Sequence, residues 1–259
     1  MWRKLLCVIA FTAVLYPSLA SATPILGSAD CFAVLGGTTV TNTGKTTITG
    51  DLGVSPGTAV TGFPPGKVSG TIHKGDAVAA QAQTDLTTAY NTLSTLPSTY
   101  DYTGDVLGST GYTTLTPGVY SFGSSAQLTG ALTLNFEGES NTCFVFQIGS
   151  TLTTASYSSV VVENLGSNDG VFWVVGSSAT LGTRTAFEGN ILALTSITLT
   201  TGATILDGSA LARNGAVTLD TNTITPGLNG GSPVPVPSTM FLLGPGLAGL
   251  VAFRRRFKN

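Results

Sequence analysis

A short triplet with Thr at its centre recurs through the second half of the chain. Its five copies are Leu132-Thr133-Leu134, Ser150-Thr151-Leu152, Ala179-Thr180-Leu181, Ile197-Thr198-Leu199 and Val217-Thr218-Leu219. The central Thr residues lie 18, 29, 18 and 20 positions apart. A repeat of this length with one strand in each copy predicts a solenoid whose coils stack on one another. The long step indicates one coil with an insertion of about ten residues.

The residues in and after the triplets alternate in character. Side chains of a strand point alternately to its two faces, so the flanking Leu and Ile residues are expected inside the solenoid and the central Thr residues outside. Further Thr residues follow the triplets, and four of them are expected to share one register, about 4.8 Å apart along the stack. These four are Thr154, Thr183, Thr201 and Thr221, and Thr185 and Thr223 follow two positions later in two of the coils.

The composition supports a β-rich fold and excludes two broad classes of protein. The chain has 42 Thr, 33 Gly and only 9% charged residues, which favours short strands and tight turns and argues against disorder. Between residues 23 and 232, five basic residues stand against thirteen acidic ones, a formal charge of −8. An acidic domain without a basic patch does not neutralise phosphates, so nucleic acid is excluded as a partner.

One segment interrupts the β pattern. In residues 73–97, apolar side chains recur every three or four positions, which predicts an amphipathic helix over about residues 74–96. Asp76 is the candidate N-cap and Pro97 the expected stop. The predicted apolar stripe comprises Val78, Ala82, Leu86, Ala89, Leu93 and Leu96. Such a stripe needs a partner, and the flank of a solenoid would supply one.

The start of the chain resembles an export signal. Residues 1–22 combine a basic start, a short apolar run and Ala20-Ser21-Ala22 before Thr23, which predicts a secretory signal peptide. The alternative is a membrane anchor, but the apolar run is shorter than the roughly 20 residues that a membrane span needs. We therefore expect an exported domain over residues 23–231.

The end of the chain resembles a protein-sorting signal. Residues 232–259 contain a Pro-rich linker, an apolar segment and a basic tail, an order similar to the PEP-CTERM sorting signals that exosortases process. Val236 stands between Pro235 and Pro237, where that family has Glu. The protein is expected outside the cell, either released after processing or tethered to the cell surface.

Two cysteines remain once the signal peptide, which contains Cys7, is removed. Cys31 and Cys143 are candidates for a disulfide, because an exported protein meets an oxidising compartment. The alternative is two separate buried thiols.

Four stretches resemble, in order, the ice-binding family of polar bacteria, diatoms and fungi. They are 32–66, which begins FAVLGGTTVTNTG, and 75–93, 145–156 and 187–224. The resemblance implies an all-β fold with one long helix: a right-handed, discontinuous β-solenoid of triangular section with the helix packed alongside. It also implies a secreted protein that binds ice through a flat Thr-rich face, with antifreeze or recrystallisation-inhibiting activity.

Some members of that family carry a T-[AG]-x-[TN] motif on the face that meets ice. Thr58-Ala59-Val60-Thr61 and Thr201-Gly202-Ala203-Thr204 match it, and Thr110-Gly111-Tyr112-Thr113 matches within a loop-like stretch. The motif and the outward register together give nine candidate ice-contacting residues. They are Thr58, Thr61, Thr154, Thr183, Thr185, Thr201, Thr204, Thr221 and Thr223. The alternative for each is that an outward Thr simply suits an exposed strand.

An enzyme and a matrix protein are the alternatives to ice binding. The only His, His73, lies at the start of the predicted helix, and no acidic pair has a basic partner nearby in sequence. The residues needed for acid–base catalysis, a catalytic triad or a metal site are therefore missing, and we expect no catalysis, cofactor or metal.

An extracellular matrix or cell-surface protein that binds polysaccharide or other cells would need exposed aromatics. Tyr157 and Trp173 are the candidates, with Trp173 expected in the core. We expect a monomer whose partner is the ice crystal.

Overall fold

The computed structural model describes residues 25–227. They form three parallel sheets and one long α-helix. The predicted signal peptide (1–22) and the C-terminal tail (232–259) lie outside the described residues. Within residues 25–227, no helix combines the length and apolar character needed to cross a membrane.

Each complete coil contributes one strand to each sheet in the same order, so the cross-section is triangular. Sheet A consists, in spatial order, of β7 (Ile72–Lys74), β4 (Asp51–Val54), β1 (Phe32–Gly36), β23 (Ala210–Ala212), β20 (Asn190–Ala193), β17 (Gly170–Val175), β14 (Cys143–Ile148), β11 (Gly118–Phe122) and β8 (Tyr100–Asp101). Sheet B consists of β5 (Ala59–Thr61), β2 (Thr39–Thr43), β24 (Val217–Asp220), β21 (Ile197–Leu199), β18 (Ala179–Leu181), β15 (Leu152–Thr154), β12 (Ala126–Leu128) and β9 (Val106–Leu107). Sheet C consists of β10 (Thr114–Leu115), β13 (Ala131–Asn135), β16 (Ser159–Glu163), β19 (Ala186–Glu188), β22 (Thr204–Leu206), β25 (Thr223–Ile224), β3 (Thr47–Ile48) and β6 (Lys67–Val68).

The stacking order of the coils differs from their order in the chain. The first coil, β1 to β3, stacks on the last coil, β23 to β25, and not on the third. The chain then builds a second coil outward, and the third begins with β8 at the opposite end of sheet A. Between β7 and β8 runs the helix α1, Ala77–Ser94. The predicted discontinuous solenoid is therefore confirmed.

The interior is filled by ladders of identical or similar side chains. Trp173 is fully buried, and its ring stacks on Phe146 at a centroid distance of 3.8 Å. Tyr120 stacks on the other side of Phe146 at 5.3 Å. The indole Nε1 of Trp173 donates to the carbonyl oxygen of Glu188 at 3.1 Å, which satisfies its one polar group. The expectation that Trp173 belongs to the core is confirmed.

The helix packs along the outer side of sheet A. Its buried residues are Ala79, Ala82, Leu86, Ala89 and Leu93. The last four form an apolar cluster with residues of sheet A such as Val145, Phe172 and Leu192. Asp76 is the N-cap, as predicted, and accepts from the amide of Ala79 at 2.9 Å. The helix is shorter than the predicted 74–96, because residues 72–74 form β7 and the helix ends at Ser94. Val78, expected in the stripe, is half exposed, and Ala79 takes its place.

The registers of two triplets differ from the prediction. Thr180 pairs with Thr153 and not with Thr151, so the triplet centred on Thr151 is out of register by two residues. Thr133 also points outward, but it belongs to sheet C. Two coils, not one, carry extra residues, in the turns 136–142 and 164–169 that join sheet C to sheet A. Both Thr151 and Thr153 fit an alternating pattern, so the sequence alone does not distinguish them.

The two cysteines are unpaired, so the predicted disulfide is wrong. Cys31 is exposed directly before β1, and Cys143 is partly buried at the start of β14. Four strand spacings separate β1 from β14 in sheet A. At about 4.8 Å each they place the two residues roughly 19 Å apart, far beyond the reach of a disulfide. Burial raises the pKa of the Cys143 thiol to about 11.

Candidate functional site

The three outer faces of the solenoid differ in what covers them. The outer side of sheet A is largely buried beneath the helix and the 3-10 turn Gly27–Cys31. The outer sides of sheets B and C carry no other element of the described chain. A surface site that needs a wide, open strand face therefore lies on sheet B or sheet C.

The outer side of sheet B, here named the Thr face, has a file of Thr residues at its centre. Six consecutive strands contribute one Thr each, in an unbroken register. In spatial order these are Thr61, Thr41, Thr218, Thr198, Thr180 and Thr153, and the file continues through Gln127 to Val106. Neighbours in the file are about 4.8 Å apart, because that is the spacing of strands in a sheet.

Small residues flank this central file on both sides. Continuing the same register, one flanking file holds Ala59, Thr39, Ala216, Ser196, Ser178, Thr151 and Ser125. The other holds Thr43, Asp220, Thr200, Gly182, Ala155 and Thr129. Asp220 is the only charged residue in the three files. Its carboxylate accepts from the hydroxyls of Thr201 and Thr221 at the neighbouring corner.

The Thr face is regular because the core beneath it is regular. The strand residues that alternate with the file, such as Ile197 and Leu199, are almost fully buried in the central core. Within the described chain, no register shift occurs between the strands of sheet B. Eight strands give seven spacings and a face roughly 34 Å long. The fixed backbone and the β-branched side chains hold the hydroxyl and methyl groups in a repeating array.

The outer side of sheet C is less uniform. Glu163, Glu188 and Lys67 bring charges of both signs to it. Val161 and Leu206, at 39% and 43% exposure, interrupt it with larger apolar groups. The mixture makes this side a poorer template for one repeating surface.

The nine sequence-predicted residues do not lie on one face. Thr61 is in the central file of the Thr face, and Thr58 is exposed just before the same strand. Thr204 and Thr223 are neighbours on the outer side of sheet C. Thr201 and Thr221 are exposed in the turns between sheets B and C, where Thr183 is partly buried.

Thr154 and Thr185 are corrections, because both side chains are buried. Thr185 is fully buried, Thr154 is 7% exposed, and their hydroxyls lie 2.8 Å apart. Thr185 also donates to the carbonyl of Ala155, and Thr154 accepts from the amide of Gly182. These bonds close the turn between sheets B and C. The predicted register has Thr151 as the triplet centre, which puts Thr154 level with Thr183, but Thr153 holds the central position.

Sequence reasoning missed five of the six residues in the central file as site residues. Thr180, Thr198 and Thr218 were expected to point outward as triplet centres, and they do. The signal that would have selected them is the triplet itself. Thr153 was hidden by the register of its triplet. Thr41, like the predicted Thr61, belongs to the first coils and joins the file only because those coils stack on the last one. Sequence periodicity does not reveal which coils are neighbours in the stack.

Comparisons with known proteins agree with this architecture. The family model described as ice-binding-like matches residues 34–225, and that of the PEP-CTERM protein-sorting motif matches residues 233–256. An ice-binding protein of Nostoc sp. (strain HG1) is 56% identical, over 98% of this chain and 96% of its own length. One from Flavobacterium frigoris (strain PS1) is 33% identical, over 77% and 75%.

Solved structures show the same fold. The crystal structure of an ice binding protein from an Antarctic biological consortium has a TM-score of 0.72 and 46% identity, over 82% of this chain and 95% of that one. The ice-binding protein of Antarctomyces psychrotrophicus has a TM-score of 0.71 and 42% identity, over 77% and 96%. The predicted β-solenoid with one helix is confirmed, and the chain belongs to the ice-binding-like family.

Proposed function

We propose that the protein binds ice, and that the Thr face is the surface that contacts the crystal. The observation that carries the proposal is the central file, six Thr residues in register on six adjacent strands. Relatives and structural neighbours named as ice-binding proteins support the function. The partner is the ice surface, and the protein acts by adsorbing to it without catalysing a reaction.

Thr suits such a surface for three physical reasons. Its hydroxyl can anchor a water molecule, and its methyl group leaves neighbouring water little freedom. Its branched Cβ restricts χ1, so little side-chain entropy remains to be lost on binding. Ordered waters can then join the protein to the lattice, as they do in many interfaces. Because many weak contacts form together, each file member adds to the adsorption of the whole face.

We also propose that the protein acts outside the cell as a monomer. Residues 1–22 would direct export, residues 23–231 would form the mature ice-binding domain, and exosortase processing would act on residues 232–259. The match to the PEP-CTERM motif supports secretion or surface association.

Bulky substitutions in the central file test the site. In the Thr198→Tyr, Thr218→Tyr double variant, two rings project from adjacent strands and hold the rest of the face away from the lattice. We expect loss of crystal faceting and of recrystallisation inhibition, measured by microscopy near the melting point, with unchanged circular dichroism. The matched control is Thr204→Tyr, Thr223→Tyr, which puts two rings on adjacent strands of sheet C.

The two variants also separate the present site from the earlier candidates. Activity lost only in the sheet C variant would move the site to the face that holds Thr204 and Thr223. Round, unaltered crystals with the wild-type protein would refute ice binding itself.

A further inference from the structure

A groove of about 450 Å³ lies beside the C-terminal end of the helix. Sheet A extends beyond the helix at this end, so its outer side is uncovered there. The last helical turn, with Tyr90 and Ser94, forms one wall, and the turns that lead from sheet A to sheet B form the other. The volume falls within the range of small-molecule sites.

The floor of the groove is a polar file on sheet A. Asp101, Ser121 and Gln147 are register partners on three adjacent strands. Val145 packs beneath the helix, so Gln147, two residues later, faces the same side. Under the helix this side of the sheet is mainly apolar, with Val145, Phe172 and Leu192 among its residues, and it becomes polar where the helix ends. Ile148 and Val174 also border the groove, but both side chains are almost fully buried.

The polar groups of the groove are held in place by bonds within the protein. Gln147 Nε2 donates to the carbonyls of Leu93 and Leu96 at 2.8 and 2.9 Å, which ties it to the helix end. Thr103 Oγ1 accepts from the amide of Gly123 at 2.8 Å. Gly176 packs so closely on Gly149 that an added Cβ would lie 2.6 Å from the Gly149 carbonyl oxygen. The wall is therefore built before any ligand arrives, which lowers the entropic cost of binding.

Asp101 supplies the one carboxylate of the groove. The amide and the hydroxyl of Thr103 both donate to its Oδ1, at 3.0 and 2.6 Å, and these bonds hold the pKa of Asp101 below its usual value. The carboxylate is therefore charged at neutral pH. Because both bonds use Oδ1, Oδ2 is available to accept hydroxyl groups of a ligand.

We propose that this groove is a binding site for a neutral saccharide. A carboxylate, the hydroxyls of Tyr90, Ser94, Thr103 and Ser121 and an amide line it, and these groups match the many hydroxyls of a sugar. Charged hydrogen bonds from sugar hydroxyls to the carboxylate are the strongest contacts it offers. The lining contains no Lys or Arg and the domain carries a formal charge of −8, so acidic saccharides are excluded.

The groove and the Thr face open on different sides of the solenoid. The turns that hold Gly123, Gly149 and Gly176 separate them. A saccharide in the groove therefore leaves the Thr face uncovered. The proposal does not depend on ice binding, and it gives a physical basis for attachment to an extracellular polysaccharide.

Two groove variants of the full chain and one control test the proposal. Asp101→Ala removes the charged acceptor, and Ser94→Trp places a ring in the groove from the last helical residue. Thr84→Trp adds the same ring at an exposed site earlier in the same helix. Binding of maltotriose, cellotriose and chitotriose, with trigalacturonate as the acidic probe, is measured by titration calorimetry, and recrystallisation inhibition is measured in parallel.

We expect at least one neutral trisaccharide to bind, about tenfold or more weaker binding in both groove variants, and wild-type binding in the control. Recrystallisation inhibition should be equal in all four proteins. If no neutral trisaccharide binds, or if both groove variants bind as the wild type does, the proposal is wrong. Preferential binding of trigalacturonate would overturn the assignment to neutral sugars.

Discussion

At the scale of single residues, the meaning of a Thr depends on which strand position it occupies. Thr198 lies between Ile197 and Leu199, both buried, so its side chain has only the outer side of sheet B available. Thr154 is also a strand residue, yet it points inward and bonds to Thr185. In a chain with 42 Thr, alternation predicts the outward set only when the register is known.

Asp220 is the one charge on the Thr face, and its removal gives a prediction. A carboxylate holds its own hydration water strongly, and that water must be displaced or accommodated at the crystal. We expect Asp220→Asn to inhibit recrystallisation at lower protein concentration than the wild type. The Asn side-chain oxygen can still accept from Thr201, and its amide nitrogen can donate to the hydroxyl oxygen of Thr221, which preserves the corner.

Glu163→Gln, an equal change of charge on sheet C, is the control and should leave the recrystallisation endpoint unchanged. Weaker inhibition by Asp220→Asn would mean that the carboxylate itself helps to order water.

At the scale of elements, the helix was the easiest part to predict and the strand register the hardest. The apolar spacing and the Asp76 cap are local signals, so the helix was found within a few residues of its ends. The triplet spacing indicated coils of about 20 residues. It did not show which coils are neighbours, because the pairing of β1 with β23 joins residues far apart in the chain.

The contact between the helix and the N-terminal segment gives a pH-dependent prediction. The amide and hydroxyl of Ser28 donate to Asp85 Oδ2 at 2.9 and 2.6 Å, and Gln81 donates to Oδ1. These bonds lower the pKa of Asp85, the Ser28 hydroxyl most of all. A carboxyl whose folded pKa is lowered stabilises the fold above its unfolded pKa, about 3.9, and loses that effect as the pH falls further.

We therefore expect Asp85→Asn to reduce the free energy of unfolding at pH 7. The loss should be no more than about 1 kcal/mol, since the group is partly exposed and solvent screens its interactions. The difference from the wild type should shrink at pH 3, as measured by urea unfolding. An equal difference at both pH values would contradict the pKa argument.

At the scale of the whole molecule, the fold depends on the seam between the first and last coils. Gly37 lies at this seam, where an added Cβ would be 2.5 Å from the carbonyl oxygen of Arg213. Its amide also donates to the carbonyl of Gly215 at 2.8 Å. Gly123 lies in the equivalent turn between sheets A and B, but its nearest neighbour is the side chain of Thr103 at 3.3 Å.

The seam gives a prediction about stability. Gly37→Ala should lower the free energy of unfolding by about 1–3 kcal/mol, because backbone must move to admit the methyl group. Gly123→Ala should change the free energy of unfolding by less than about 0.5 kcal/mol, because the Thr103 side chain can move to admit the methyl group. Chemical denaturation of both variants measures the two changes in the free energy of unfolding. Equal stability of the two would show that the seam is not tightly packed.

The discontinuous stacking also decides from which side the molecule can be held. The first coil and the last are neighbours, so the described chain both starts and ends within the stack and not at either end of it. Gly227 follows β25 of sheet C and lies where sheet C leads into sheet A. In a triangular prism that edge is opposite sheet B. A tether attached after Gly227 would therefore join the molecule at the edge furthest from the Thr face. An anchored molecule would present its six-Thr file away from the attachment point, toward the medium around the cell.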